Sequence, residues 1–277
     1  MNLQQSQLGK NSAYQTSYDK SLLFPIPRQL KRDELGIIDA QAIFRGFDLW
    51  TAYEVSWLNA KGKPVVKILK FIIDSNSENI IESKSLKLYL NSFNNTLFAS
   101  DHAVLETITN DLKEALSGNI NIQMFTIDEY SDAFSNSFDA LLLDHIDCKI
   151  EQYQTNAELL KLDEASSEIV TERLSSHLLK SNCLVTNQPD WASVLIEYQG
   201  KKISHEALLK YIVSFRDHNE FHEQCVERIF NDIMTYCQPE KLLVYARYTR
   251  RGGLDINPLR ANYPISKHYQ SIRLTRQ

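Results

Sequence analysis

Residues 181–191 read SNCLVTNQPDW and put a cysteine, Cys183, seven positions before an aspartate, Asp190, with the turn-forming Asn187-Gln188-Pro189 between them. A thiol and a carboxylate brought together are a nucleophile with a proton acceptor at its side. The acceptor matters, because a cysteine of pKa about 8.5 is only a few per cent thiolate at neutral pH. A carboxylate can take that proton and return it later. In extended chain the two groups would stand up to ~23 Å apart, so the turn has to bring them together. Taken alone, Cys183 reads as a small buried hydrophobe and Asp190 as an ordinary turn residue.

Three further stretches carry chemistry. Phe221-His222-Glu223 places an imidazole beside a carboxylate, and Glu82-Ser83-Lys84-Ser85 opens a helical pattern with acid, hydroxyl and ammonium groups. Arg250-Arg251-Gly252-Gly253 contains the only adjacent pair among 8 glycines. Backbone there can approach a phosphate closely beneath fixed positive charge, with Lys84, Ser85 and Lys87 adding charge and donors. A solvated basic turn is the alternative reading. No GxGxxG follows a strand, so no Rossmann domain is expected.

The four cysteines, Cys148, Cys183, Cys225 and Cys237, show neither CxxC pairing nor the Cys/His spacing of a zinc site, and no metal is expected. Cys225 falls on an apolar helical face and Cys237 near the same helix's end, so both read as packing residues. Cys148 lies in the strand-like run LLLDHIDCKI and is assigned no role.

What must position these groups follows from pattern and composition. A chain of 277 residues, 43% hydrophobic and 23% charged, can bury a substantial core and has no apolar run long enough to cross a bilayer. The polar start MNLQQSQLGKNSAYQTSYDK lacks the apolar centre of a secretion signal, so a cytoplasmic protein is expected. The net charge of -5 argues against a large nucleic-acid footprint.

After an arm with extended FPIPRQLKRDELGI, LWTAYEVSWLNAKGKPVVKILKFII reads as a hairpin turning at Asn59–Pro64. Helices follow, with Leu86, Leu90 and Phe93 on one and Leu105, Ile108, Leu112 and Leu116 on the next, ended by Gly118. The second half repeats the order, with VTNQPDWASVLIEYQGKKI as strands, HEALLKYIVSF and NEFHEQCVERIFNDIMTY as helices, and KLLVYARYTRRGGLDI as a strand and loop. At an offset of 122, Leu86, Tyr89, Ser92 and Phe93 meet Leu208, Tyr211, Ser214 and Phe215. We read an arm over 1–40 and two copies of one α+β module, over 41–150 and 151–277, each a sheet with helices on one face. The polar groups are divided between the copies, so a site would be assembled where the copies meet.

ESKSLKLYLNSF, SNCLVTNQPDW, SFRDHNEFHE and RYTRRGGLDINPLR together resemble the long, two-module NADPH-dependent 7-cyano-7-deazaguanine reductases of queuosine biosynthesis, members of the tunnelling-fold superfamily. The resemblance implies tandem tunnelling-fold modules, each an antiparallel sheet with two helices. It also implies reduction of a nitrile on a guanine-like base to a primary amine with two NADPH. Cys183 would form a covalent thioimide, and Asp190 and His222 would move protons. Glu82, Ser83, Lys84, His222 and Glu223 would contact the substrate, and Lys84, Ser85, Arg251 and Gly252 would bind NADPH. A homodimer is implied, with no direct nucleic-acid or membrane partner. Two other readings remain: a catalytically silent base-binding module, and a cyclohydrolase of the same superfamily, which would need a zinc-binding Cys/His set.

Overall fold

The computed structural model describes residues 15–131, 133–135, 137–184 and 186–277. The first fourteen residues of the N-terminal arm, and Val185 of the SNCLVTNQPDW motif, lie outside the described residues. In chain order the elements are β1 (Pro25–Pro27), α1 (Gln29–Arg32), α2 (Ala40–Ile43), β2 (Arg45–Leu58), β3 (Pro64–Asp74), β4 (Asn79–Ile81), α3 (Ser83–Asn91), α4 (Asp101–Leu116) and β5 (Ile120–Phe125). Then come β6 (Ala133–Ser135), β7 (Leu141–Leu142), β8 (Ile169–Asn182), β9 (Pro189–Lys201), α5 (His205–Val213), α6 (His222–Tyr236), β10 (Lys241–Tyr248), β11 (Leu254–Ala261) and β12 (Ile272–Leu274).

The fold is α+β and divides into two compact units. The first takes the chain through Ile38, then Asp48–Ser131 and Arg250–Asp255; the second takes Asp39–Phe47, Asp132–Thr249 and Ile256–Gln277.

In the first unit the strands run in the order β5-β3-β2, with β5 antiparallel to β3 from Ile68↔Phe125 to Ile73↔Ile120. The turn between β2 and β3 is built by Asn59, whose Oδ1 accepts from the N–H of Lys61 (2.9 Å) and Lys63 (3.1 Å), and by Gly62 at φ 74°. Glycine takes that left-handed conformation at no steric cost. Extended Pro25–Pro27 pairs with β4, as Pro25↔Ile81 through Pro27↔Asn79. Arg28 then anchors the arm through a buried pair with Asp48 at 2.5 Å.

Two sequence expectations change here. On α4 the buried row is Val104, Ile108, Leu112 and Leu116, and Leu105 is only half-buried. The left-handed residue that ends α4 is Ser117, at φ 46°, and not Gly118. Gly118 is required for space, because a Cβ there would stand 2.6 Å from Ser77 Cβ.

The second unit orders its strands β11-β10-β9-β8-β7. The long hairpin β8–β9 pairs antiparallel from Ile169↔Lys201 to Asn182↔Pro189, with a register shift between Ser176 and Leu179. Helix α6 packs against β10 and α5 against β8, burying Leu208, Tyr211, Ile212, Val226, Ile229, Phe230 and Ile233. The strand expected around Cys148 is absent: the chain makes the short β7, one turn of 3-10 helix at Leu143–His145, and then irregular structure through Cys148. The polar Asp144, His145 and Asp147 interrupt the apolar run; Asp144 turns back to accept from Ser176 Oγ (2.6 Å) and His177 N (3.0 Å).

The two units share local detail. Helices α3 and α5 are both nine residues long and begin 122 positions apart, at Ser83 and His205. Tyr89 donates to Asp111 at 2.7 Å in the first unit, and Tyr211 to Asp232 at 2.6 Å in the second. Each tyrosine carbonyl accepts from a serine three residues on, Ser92 or Ser214, at 2.6 Å. Each ring meets a phenylalanine edge-on, Phe93 at 5.2 Å and Phe215 at 5.3 Å.

Candidate active site

The end of the β8–β9 hairpin explains how a turn unites the cysteine and the aspartate. Ser181 pairs directly with Asp190, and beyond the last paired residues Cys183 N–H still donates to Gln188 O at 2.8 Å. Cys183 therefore continues the β8 alternation two residues past Ser181, on the face that Ser181 shares with Asp190. It stands diagonal to Asp190, a separation of roughly 7–8 Å between such positions in an antiparallel pair. The loop closes with Asn187 N–H on Cys183 O at 3.1 Å, Asn187 itself at φ 55°. Asparagine tolerates that conformation better than most residues. Cys183 is buried, with 8% of its surface exposed, and Asp190 is buried at 7%.

Helix α6 brings the imidazole. His222 is its first residue, and its Nε2 lies 3.3 Å from Asp190 Oδ2. The ring is held from the side by Tyr248 of β10, which stacks on it, and Nδ1 is buried without a hydrogen-bond partner. Glu223 follows in the first turn, buried, where the positive end of the helix favours a carboxylate. Cys183, Asp190, His222 and Glu223 are thus all carried by the second unit.

The other cysteines do not share this setting. All four carry reduced thiols. Cys225 is fully buried on α6, and burial pushes its thiol far above the ordinary range. Cys237 closes the same helix, its thiol raised by burial to about 11. Both side chains belong to the core, as their helical positions suggest.

The first unit holds the remaining predicted residues. Glu82 is the N-cap of α3: one carboxylate oxygen accepts from Lys84 N–H at 2.7 Å and the other from Ser85 N–H at 2.8 Å. Burial raises its carboxyl above the ordinary value, against the lowering pull of those N–H groups and of Lys87 and Lys84. Ser83 and Lys84 are partly exposed on the same turn. Ser85 is fully buried, its hydroxyl donating to Glu82 O (2.7 Å) and accepting from Phe24 N–H (3.0 Å), so that oxygen already joins α3 to the arm.

In the same unit, Arg251-Gly252-Gly253-Leu254 forms a two-residue hairpin turn, closed by Arg251 N–H on Leu254 O at 2.9 Å. Both central residues have positive φ, 62° and 75°, the geometry that twists with the flanking strands and favours glycine. Lys87 of α3 lies over the turn, its Cδ 3.4 Å from where a Gly252 Cβ would be. Arg250 stacks on Tyr53 at 5.0 Å from the ring centroid, and Gly253 O accepts from Tyr53 N–H at 2.9 Å. The turn is therefore a rigid, partly exposed loop ringed by Arg250, Arg251 and Lys87, whose charge and open backbone suit a phosphate group.

Two residues escaped the sequence reading. Tyr248 sits in the strand pattern KLLVYARY, where an aromatic needs no special explanation. Asn219 lies in SFRDHNEFHE, and nothing in its spacing marks it. Among the described residues no three His, Cys, Asp or Glu side chains come together as a metal site would require, and no helix is long and apolar enough to cross a membrane.

With that geometry in place, comparison with known proteins is direct. Residues 14–124 match the family described as nitrile reductase, 7-cyano-7-deazaguanine-reductase N-term, and residues 189–266 match a family described as QueF-like protein. The chain is 54% identical over 272 residues to the NADPH-dependent 7-cyano-7-deazaguanine reductase of Hydrogenovibrio crunogenus, covering 98% of this chain and 96% of that one. It is 57% identical over 259 residues to the enzyme of the same name from Cupriavidus necator, 93% of each chain. For the Legionella pneumophila protein the figure is 53% over 274 residues, 99% of this chain and 95% of the relative. Identity at this level along nearly the whole of both partners makes this chain a member of the NADPH-dependent 7-cyano-7-deazaguanine reductase family.

Proposed function

We propose that this protein reduces the nitrile of 7-cyano-7-deazaguanine to the primary amine 7-aminomethyl-7-deazaguanine, consuming two NADPH, as a step of queuosine biosynthesis. The reading is carried by one observation in the context of the family: a hairpin register that puts Cys183 diagonal to Asp190, with His222 Nε2 3.3 Å from the same carboxylate. That is a nucleophile, a proton carrier and a second proton carrier in one buried cluster.

Cys183 adds to the nitrile carbon, a carbon–sulfur bond forms, and the nitrogen takes the proton that leaves the thiol through Asp190. The product is a thioimide, whose C=N group is a far better acceptor than the nitrile. When bound, each of two NADPH would supply one hydride to the substrate carbon, four electrons in all. Between them the carbon–sulfur bond breaks and the Cys183 sulfur leaves. Asp190 and His222 hold and return the protons that the nitrogen gains. Glu223 accepts from the guanine-like edge of the base, and Glu82, Ser83 and Lys84 are substrate contacts on the family resemblance. Arg251, Gly252, Lys84 and Lys87 would hold the phosphates of NADPH. Ser85, a cofactor contact on the family resemblance, has its hydroxyl and its N–H both committed within the fold and supports the site through the cap it makes with Glu82.

The division into an arm over 1–40 and modules over 41–150 and 151–277 belongs to this proposal, supported by the duplicated Tyr–Asp and Ser–Tyr bonds. So do a homodimeric assembly in the cytoplasm and the absence of a direct nucleic-acid partner. A base-binding protein without turnover is disfavoured by the presence of Cys183, Asp190 and His222 together.

Intact-mass spectrometry of the protein with 7-cyano-7-deazaguanine and no NADPH tests the reading. A covalent adduct is expected in the native protein and not in Cys183→Ala, with two NADPH oxidised per amine when cofactor is added. An adduct of unchanged yield in Cys183→Ala would reject the assignment.

A further inference from the structure

We infer that Asn219 is a positioning residue for the nucleophile, clasping the Cys183 loop to the segment that leads into α6. The inference rests on the proposed role of Cys183 and adds a residue to which no part in the reaction has been given above.

The clasp is a set of bonds between two short stretches. Asn219 Nδ2 donates to Cys183 O at 3.4 Å and to Asn187 Oδ1, the two ends of the loop that presents the thiol. Its Oδ1 accepts from Asn182 Nδ2 at 3.2 Å. Backbone bonds bracket the side chain: Asn182 N–H donates to His218 O at 2.8 Å, and Glu220 N–H to Asn182 O at 3.1 Å, so residues 182 and 219 form a parallel bridge. Three residues after Asn219 comes His222, which reaches back to Asp190 on the other strand of the hairpin.

The amide and the backbone bridge together close a ring. Strand β8 ends at Asn182, the loop carries Cys183 to Asn187, β9 returns with Asp190, and His222 connects Asp190 to the segment that Asn219 holds. The segment is itself anchored below, where Glu220 accepts from Arg228 at 2.6 Å and 3.0 Å. Asn219 supplies the side-chain bonds from this segment to the loop, beside the loop's own Cys183 N–H to Gln188 O and Asn187 N–H to Cys183 O. Losing them loosens the placement of the loop relative to Asp190, and displacements of about 1 Å in a reacting group can cost on the order of 100-fold in rate.

Two variants test this. Asn219→Ala removes every side-chain bond of the clasp and leaves the backbone bridge, and Asn219→Asp keeps the size and the acceptor for Asn182 but removes both donors. The rate of adduct formation with 7-cyano-7-deazaguanine, without NADPH, is followed by intact mass. Base affinity is measured by titration in a Cys183→Ala background with and without the Asn219 change. Both variants are expected to form the adduct about 100-fold more slowly, with base affinity within about threefold of the parent and kcat lowered far more than KM for the base. Adduct formation at the native rate in a folded Asn219→Asp protein overturns the inference. A loss of base affinity that matches the loss of rate also overturns it, since it would mark general disruption of the fold. Failure of the native protein to form any adduct would instead sink the underlying role of Cys183, and this inference with it.

Discussion

The imidazole of His222 lies flat on the phenol ring of Tyr248, centroids 3.7 Å apart and planes within 4° of parallel. The stack fixes the plane of the imidazole while its edge faces Asp190, so a strand residue sets the orientation of the ring toward that carboxylate.

That arrangement separates the ring of Tyr248 from its hydroxyl. The hydroxyl is buried beside Cys225 without a hydrogen bond of ordinary geometry, and burial raises it well above the usual phenol range. Tyr248→Phe is expected to leave turnover near native and thermal stability within about 1 kcal/mol of it, because the hydroxyl meets its polar neighbours Cys225 and Ser181 outside ordinary hydrogen-bond geometry. Tyr248→Leu removes the stack and should lower kcat by about tenfold, with a stability loss of about 2–4 kcal/mol from the lost volume. Equal kinetics in the two variants would show that the stack does not orient His222.

Asp190→Asn retains the shape of the hairpin but cannot accept a proton. Turnover should fall by about 100-fold or more, and the pH dependence of kcat/KM should lose one ionisation, while affinity for the base changes little. Steady-state kinetics from pH 5 to 9 on both proteins would decide this, and an unchanged profile would remove Asp190 from proton transfer.

Glu82 makes stability depend on pH in a direction opposite to that of an ion-paired carboxylate. Burial raises its carboxyl in the folded chain, so the folded state holds the proton more tightly than the unfolded state does. Its contribution favours the fold at low pH and is lost as pH rises from about 4.3, the unfolded value, through the folded value. Glu82→Gln abolishes that slope. Thermal unfolding at pH 4 and pH 7 should show the difference between variant and native Tm moving in the variant's favour at the higher pH. Movement the other way would mean that the two N–H bonds outweigh burial.

The glycine turn predicts a cofactor-specific defect. Gly252 has φ 62°, which costs an alanine roughly 1–2 kcal/mol, and its Cβ would come into contact with the Lys87 side chain. Gly252→Ala should raise KM for NADPH about tenfold and leave adduct formation at Cys183 unaltered. Lys87→Ala should weaken NADPH more than NADH if the ammonium reads the extra phosphate. An equal loss for both cofactors would assign Lys87 a structural role.

How much of this was visible in the residues themselves follows from where the constraints act. Helices α3 to α6 announce themselves through apolar spacing, and Asn59 with Gly62 marks its turn, because those signals are local. Most of β8 was not legible: IVTERLSSHL is largely polar, its ladder shifts between Ser176 and Leu179, and pairing with β9 makes it a strand. Cys148 shows the converse, an apolar run that becomes irregular because Asp144 bonds to distant Ser176 and His177. At the site, Cys183, Asp190, His222 and Glu223 were recognisable as reactive types. The work of Ser85, Tyr248 and Asn219 depends on neighbours that spacing cannot supply.

The bend that encloses the thiol is closed by main-chain atoms, Cys183 N–H to Gln188 O and Asn187 N–H to Cys183 O. Exchanging the sulfur for hydrogen leaves those atoms as they are. Shape and reactivity at this tip therefore reside in different atoms, which makes a thiol-free variant a sound stand-in for the unreacted protein.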